Sequence, residues 1–393
     1  MNAPIRNHFL QIPGPTNSPH AVLQASARPT IDHRGSEFAE ETMGLLADLK
    51  RIFGTTQPVV VYPCSGTGAW EAALVNVLSP GDHILAYETG HFSSLWRELA
   101  ERLGLVVDYV PGDWRSGVDA ERIFERLSRD RTQKVKAVTV VHNETSTGVT
   151  SDIPAVRSAI DAAGHSALLL VDTISSLGSI PYEHEGWKVD VTIAASQKGL
   201  MVPPGLGFNA VSAKALEASQ HARLPRAYWS WRAILAANED GFFPYTPATN
   251  LLMALRTALN LLEGEGMAAV YARHARYAAA TRAAVEGWGL EVVCRNPKEY
   301  SHTLTGVVTP EQFHADLVRQ RILQSFDMSL GAGLGRHAGK IFRIGHVGAM
   351  TDLTLAGALC GIEMGLGLSS VPIKRAGVTA ALNYLEATLP VDI

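Results

Sequence analysis

A large, mainly parallel α/β sheet domain followed by a smaller α+β domain is the fold class this sequence predicts. Three observations carry it. Short apolar runs alternate with helical patterns over the first half of the chain, long amphipathic helices then interrupt that rhythm, and the last third mixes short strand candidates with helices. With 393 residues, 46% of them hydrophobic and 18% charged, the chain is long enough for about two domains.

The first segment, through Pro13-Gly14-Pro15-Thr16-Asn17, reads as an extended arm: its prolines disfavour a helix, and Gly14 permits close approach by another group. Residues 37–53 carry Met43, Leu45, Leu46, Leu49 and Ile52 at helical spacing, and Gly54 ends that helix. Val59–Tyr62 reads as a buried strand, then a Gly-rich turn and a helix over 69–78. A strand at His83–Tyr87, a helix over 95–103, and strands at Val106–Val110, 137–142, 167–172 and 191–194 continue the series. Near-continuous apolar runs of this kind fit parallel strands covered on both faces. Residues 250–263 and Met267–Trp288 read as long helices, and 291–294, 301–308 and 339–344 as short strands. The expected division is an arm at 1–22, a large domain at 23–265 and a small domain at 266–393.

Composition excludes several functions. The net charge of −4 gives no pull toward nucleic acid or anionic membrane. No apolar stretch approaches the roughly 20 residues that span a bilayer, and residues 1–10 lack a signal-peptide pattern. Cys64, Cys294 and Cys360 are too scattered for a disulfide framework or metal knuckle, so a cytoplasmic location is expected. The fourteen histidines show no metal-ligand spacing, and no metal is expected.

Three features point to chemistry. Ser65-Gly66-Thr67-Gly68 lies between a strand and a helix, where backbone N–H groups cradle an anion, although an ordinary strand–helix turn reads the same way. It is followed by Ala69-Trp70, not the Lys-Ser/Thr of a P-loop. Asp172 closes the apolar run 167–171, where a carboxylate needs a cationic or proton-donating partner; the alternative is a cap for the next turn. Lys198, in Ser196-Gln197-Lys198-Gly199, follows another apolar run, a position suited to a lysine of lowered pKa and Schiff-base chemistry. An anion cradle, a strand-end acid and a strand-end lysine on successive strands form the set that a pyridine aldehyde phosphate requires.

With these motifs and with His142-Asn143-Glu144-Thr145-Ser146-Thr147-Gly148 and Phe342-Arg343-Ile344-Gly345-His346, the chain resembles the class V (fold-type I) aminotransferases over nearly its whole length. The match is to the serine–glyoxylate, alanine–glyoxylate and aspartate–glyoxylate branch. The resemblance implies pyridoxal 5′-phosphate carried as a Schiff base on Lys198, which also shuttles the substrate proton. It implies that Asp172 holds the ring nitrogen protonated, that Phe92 stacks on the ring, and that Ser65, Gly66, Thr67 and Gln197 bind the phosphate. Thr145 and Ser176 match hydroxyls near the ring's polar edge. Thr246 matches a residue reaching the phosphate from a partner subunit, which implies a homodimer. Arg343 matches the arginine that binds the substrate carboxylate, in keeping with its planar fork.

Two departures stand out. Phe243 occupies a position where some relatives place a phosphate-binding tyrosine, with Tyr245 as a candidate replacement, and Thr173-Ile174 replaces the Gly-Val that often follows the acid. His33-Arg34 reads as a substrate or subunit contact or a helix-start ion pair. His142 reads as a core histidine, His91 has no assigned role, and Trp229 and Trp231 read as packing or interface. The implied activity moves an amino group to glyoxylate, from serine as first choice of donor and aspartate or alanine as alternatives. A cysteine-dependent sulfur lyase and a non-enzymatic scaffold are the competing readings.

Overall fold

The computed structural model describes residues 8–389. In chain order the elements are β1 (Phe9–Gln11), α1 (His20–Ser26), α2 (Ser36–Phe53), β2 (Val59–Tyr62), α3 (Gly66–Val77), β3 (His83–Tyr87), α4 (His91–Arg102), β4 (Val106–Val110), α5 (Ala120–Arg129), β5 (Val135–Val141) and the short pair β6 (Asn143–Glu144) and β7 (Val149–Thr150). Then follow α6 (Ile153–Ala162), β8 (Leu168–Asp172), β9 (Val191–Ala195), β10 (Gly207–Val211), α7 (Ala213–His221), α8 (Trp231–Asn238), α9 (Thr249–Glu265) and α10 (Met267–Trp288). The chain closes with β11 (Glu291–Val292), β12 (Leu304–Val308), α11 (Ala315–Phe326), β13 (Met328–Ala332), β14 (Ile341–Gly345), α12 (Asp352–Leu368) and α13 (Gly377–Ala387).

The large sheet runs β2-β10-β9-β8-β5-β3-β4. Only β10 is reversed: it is antiparallel to β2 and β9, while the other neighbours are parallel. Because Gly207 pairs with Tyr62 on one side and Ala195 on the other, β2 and β9 end level with each other. Asp172 pairs with Ile193 one strand further on, so the ends of β2, β8 and β9 share one edge of the sheet. Ligands of open α/β sheets bind outside that edge. Every residue of β2, β8, β9 and β10 is buried. Leu170, Val171, Val191 and Ile193 are fully enclosed, each contributing about 1.5–3 kcal/mol. That packing fixes the side chains that emerge at the edge.

The sequence expectation of a mainly parallel sheet is met, with β10 as the addition. Its Gly-Phe-Asn-Ala-Val composition has neither an apolar run nor clean alternation. The second sheet runs β1-β13-β14-β12-β11, parallel only at β1–β13. It packs with α10, α11, α12 and α13 around a separate core that includes Trp288, Phe342 and Leu359. The arm's strand β1 is thus an edge of the small sheet. No helix among the described residues is long and apolar enough to cross a membrane.

Candidate active site

Lys198 lies just beyond β9 and is 7% exposed. Its Nζ donates to the carbonyl oxygen of Pro13. The arm is clipped there: Thr16 N–H donates to the Gln197 carbonyl at 3.1 Å, and Thr16 Oγ1 to the Lys198 carbonyl at 3.2 Å. Gly14 has φ +105° and lies so close that a Cβ would overlap the lysine's own methylenes, so glycine is required both by conformation and by space. The group that the Gly14 turn admits is therefore the lysine. Burial, with a smaller contribution from the Arg343 charge, brings the Lys198 pKa down from 10.5 to about 7, against the pull of Asp172. Far more of this amine is free base near neutral pH than of an exposed lysine, and the free base is the form a nucleophile needs.

Asp172 ends β8 and is 4% exposed. Oδ2 accepts from Trp70 Nε1 at 3.0 Å and Oδ1 from the Ile174 N–H at 2.6 Å. Burial raises its pKa from 3.8 to about 7, with Glu144 adding to the rise, while the two hydrogen bonds and Lys198 hold it down. A carboxyl so placed is stabilised in its charged form by a cation such as a protonated ring nitrogen. Trp70 comes from α3 and stacks on Trp96, ring centroids 5.8 Å apart and planes 12° apart.

That same helix begins with the Gly-rich turn. Ser65 is the N-cap, yet its side chain makes no capping hydrogen bond, and both Ser65 and Thr67 are exposed. Gly66 is buried as the first helical residue, with Ile174 against it. The N–H groups of this first turn and the helix dipole are open to an anion. Next to Lys198, the Gln197 side-chain oxygen is buried without a partner among the described residues. Turned by half a rotation, that amide places an NH2 donor in the same spot.

Phe92 is the second residue of α4 and packs half-buried against the core that holds Trp70 and Trp96. Glu144 fixes this helix start, accepting from Phe92 N–H at 3.3 Å and Ser93 N–H at 3.1 Å. Ser146 Oγ accepts from His91 N–H at 2.9 Å. Arg343, on β14 and 7% exposed, donates from Nε to the Ala332 carbonyl and from Nη1 to the Thr145 carbonyl, each at 2.7 Å. Burial lowers its pKa to about 10, which leaves it charged at neutral pH. It has no carboxylate partner among the described residues, and a buried unpaired cation calls for an anionic ligand.

Gly66 thus meets Asp172 through Ile174, Arg343 holds Thr145 directly, and Lys198, next to Gln197, feels the charges of both Arg343 and Asp172. Ser176 is engaged behind them: its hydroxyl pairs with His142 Nδ1 at 2.9 Å and donates to the Thr173 carbonyl at 3.4 Å. His142 is a satisfied core histidine whose pKa burial brings down to about 3. Thr246 is exposed between α8 and α9 and makes no hydrogen bond among the described residues. Tyr245 stacks on Tyr228 at 4.4 Å between centroids and 7° between planes, and its hydroxyl is buried without a partner among the described residues. Trp229 packs in the same core as Trp70, beside Gly68 of the turn.

Trp70, Glu144 and Pro13 were not anticipated as parts of the site. The only sequence signal for Trp70 was its place where a P-loop would carry its Ser/Thr, after Ala69 in place of the lysine. The donor set fits pyridoxal 5′-phosphate: an open helix N-terminus with free hydroxyls for a phosphate, a buried carboxyl for a ring nitrogen, and a buried amine for an aldehyde. A cysteine nucleophile finds no support. Burial pushes Cys64 up to about 12 and Cys294 up to about 11, and Cys360 lies half-buried on α12.

The sequence model of the family described as aminotransferase class-V matches residues 8–344. A serine–glyoxylate aminotransferase of Methylorubrum extorquens is 48% identical over 390 residues, covering 98% of this chain and 97% of the relative. The L-aspartate–glyoxylate aminotransferase of Paracoccus denitrificans is 42% identical over 379 residues, 96% of either chain. Among solved structures, pyridoxamine–pyruvate aminotransferase from Mesorhizobium loti superposes with a TM-score of 0.90 at 26% identity, covering 98% of both chains. With the strand-edge lysine, acid and anion cradle already in place, these likenesses make the chain a member of the class V aminotransferases, pyridoxal 5′-phosphate enzymes of fold type I.

Proposed function

We propose that this enzyme moves the amino group of a small L-amino acid, serine first, to glyoxylate in a ping-pong cycle. The observation that carries the reading is a buried lysine that feels the charges of a buried aspartate and of Arg343, itself a buried cation without a carboxylate partner among the described residues. Pyridoxal 5′-phosphate, when bound, supplies an aldehyde for amines and a ring that takes up the electron pair released at the donor's Cα.

The chain's residues do the rest. Lys198 would hold the aldehyde and, with its pKa lowered by burial, would carry the proton released at the donor's Cα. Asp172 keeps a proton at the ring nitrogen, steadied by Trp70 and Ile174. Arg343 binds the carboxylate common to amino and oxo acids, its guanidinium held in place by Thr145 and Ala332. Phe92 covers the ring, and the turn 65–67 with Gln197 takes the phosphate. Thr246, exposed in its own chain, serves the site of a second copy, so the working form is a homodimer. Over one cycle serine becomes its 2-oxo acid and glyoxylate becomes glycine.

A monocarboxylate donor suits a site with Arg343 as its unpaired buried cation, and a relative at 48% identity bears the serine–glyoxylate name. Aspartate, with a second carboxylate to place, comes next, then alanine. Three free cysteines fit a cytoplasmic location. The test is absorbance of the holoenzyme mixed with each donor alone, then a glyoxylate-coupled donor panel. Serine alone is expected to bleach the lysine-bound cofactor band, and serine is expected to have the highest kcat/KM. An unchanged band with all three donors ends the transamination reading, and equal kcat/KM for serine and aspartate ends the serine assignment.

A further inference from the structure

Glu88 lies just past β3 and carries a carboxylate only 6% exposed. Three donors meet it: Trp114 Nε1 at 3.0 Å and Arg336 Nη2 at 2.6 Å on Oε1, and the Gly112 N–H at 3.2 Å on Oε2. The segments they join belong to different domains. Glu88 and Trp114 belong to the large sheet domain, whereas Arg336 sits in the connection between β13 and β14 of the small sheet. We propose that the Glu88–Arg336 pair, seated on Trp114, is a positioning latch that sets where Arg343 stands relative to Phe92, and thereby the affinity for substrate carboxylates. This rests on the transaminase reading given above.

The geometry on both sides supports it. Downstream of Glu88, Thr89 and Gly90 lead directly into α4, whose second residue is Phe92. On the other side, the latch segment starts from Ala332, whose carbonyl holds Arg343 Nε, and runs back into β14 three residues before Arg343. A shift of this connection therefore moves the carboxylate-binding arginine.

The contact is also built rather than incidental. The Arg336 guanidinium lies 5.2 Å from the Trp114 ring centroid, and the His337 ring meets the same indole edge-on at 5.6 Å. Gly335 lies on the indole so closely that a Cβ would come within 2.6 Å of its Cη2. Trp114 itself has φ +62°, a left-handed conformation that a bulky residue adopts only when its surroundings hold it. Arg336 is 60% exposed, so its half of the latch can leave for water while Glu88 keeps its two other donors. Neither residue reaches the reacting atoms in this arrangement; both act through Arg343 and Phe92.

The experiment uses the holoenzyme and the half-exposed partner. Arg336→Ala is expected to raise KM for both the amino donor and the 2-oxo acid about fivefold, the scale of a partly exposed ion pair, with kcat within about twofold. Arg336→Lys, which keeps the charge but not the planar stack, is expected to recover part of that loss. Hydrogen exchange of the backbone amides of 333–340 is expected to quicken in Arg336→Ala, with thermal midpoint and cofactor absorbance unchanged. A fall in kcat at constant KM overturns the latch, as does unchanged KM with unchanged exchange. If the parent enzyme does not transaminate at all, the functional reading fails instead. The exchange rates then decide the latch: faster in Arg336→Ala keeps it, unchanged removes it.

Discussion

Trp70 donates its indole N–H to Asp172 Oδ2 at 3.0 Å, so the helix that begins at the Gly-rich turn also grips the buried acid at the end of β8, 102 residues on. With Ile174 N–H on the other oxygen, each carboxylate oxygen has one protein donor. One helix thus fixes the Gly-rich turn and the buried acid relative to each other.

Replacing Trp70 with Phe keeps a ring against Trp96 and removes the N–H. The hydrogen bond is among the influences holding the Asp172 pKa down, so the acid becomes harder to ionise. Cofactor affinity is expected to fall about tenfold, the scale of one charge-assisted hydrogen bond. Titration of the apoenzyme, followed by cofactor absorbance, measures it; an unchanged Kd would show that Trp70 only packs.

Lys198 and Asp172 give the apoenzyme a characteristic pH response. The lysine is depressed on folding, so between about 7 and 10.5 the unfolded chain holds a proton the folded chain has released, and stability rises with pH. The acid is raised, so between 3.8 and about 7 the folded chain holds the extra proton, and stability falls as pH rises. Their joint contribution is lowest near neutrality. Urea unfolding of the apoenzyme, less that of an Asp172→Asn/Lys198→Met variant, should trace this minimum; a flat difference between about pH 5 and pH 9 would contradict both shifts.

Arg343→Lys is expected to lower kcat/KM for every carboxylate substrate by about a hundredfold, the equivalent of losing ~2–3 kcal/mol of charge-assisted pairing. A single ammonium cannot hold Thr145 and Ala332 and also offer a fork to substrate. Arg343→Gln should fare no better. Initial rates over a range of donor concentrations check this, and a lysine variant within about threefold of the parent would remove the bidentate argument.

Thr246 tests the second copy. Thr246→Ala and Lys198→Ala homodimers should each be impaired, the latter without the lysine-bound cofactor band. Mixed dimers made from the two variants pair one intact lysine with one intact threonine from the other chain. Each mixed dimer, with one intact site of two, is expected to recover about half the turnover of the parent dimer; no recovery beyond the sum of the separate variants would place Thr246 outside the partner's site.

Much of this was legible where chemistry coincides with local pattern. Asp172 directly ends an uninterrupted apolar run and Lys198 follows another after Ser196 and Gln197, and a charged side chain so placed stands out. The turn at Ser65-Gly66-Thr67-Gly68 read equally as an ordinary strand–helix turn and gained meaning only beside Asp172 and Lys198. What stayed hidden was relational. Trp70 looked like core, and its N–H acquires meaning only from an acid 102 residues away. Glu88 and Arg336 lie 248 residues apart, and nothing in either neighbourhood pairs them. β10 and β13 were missed because strands of five residues containing glycine have too little pattern to stand out. His142 was correctly read as core, yet only the fold showed that it shares its hydrogen bond with Ser176.

The clipped arm has a practical corollary for anyone handling this protein. Residues Phe9–Gln11 hydrogen-bond to β13, and two residues later Pro13 receives the Lys198 amine. Shortening the chain past Phe9 to tidy an expression clone would therefore strip an edge strand from one sheet and uncover the buried lysine of the other. Tags and linkers belong ahead of this stretch, with enough slack that they do not tug on it.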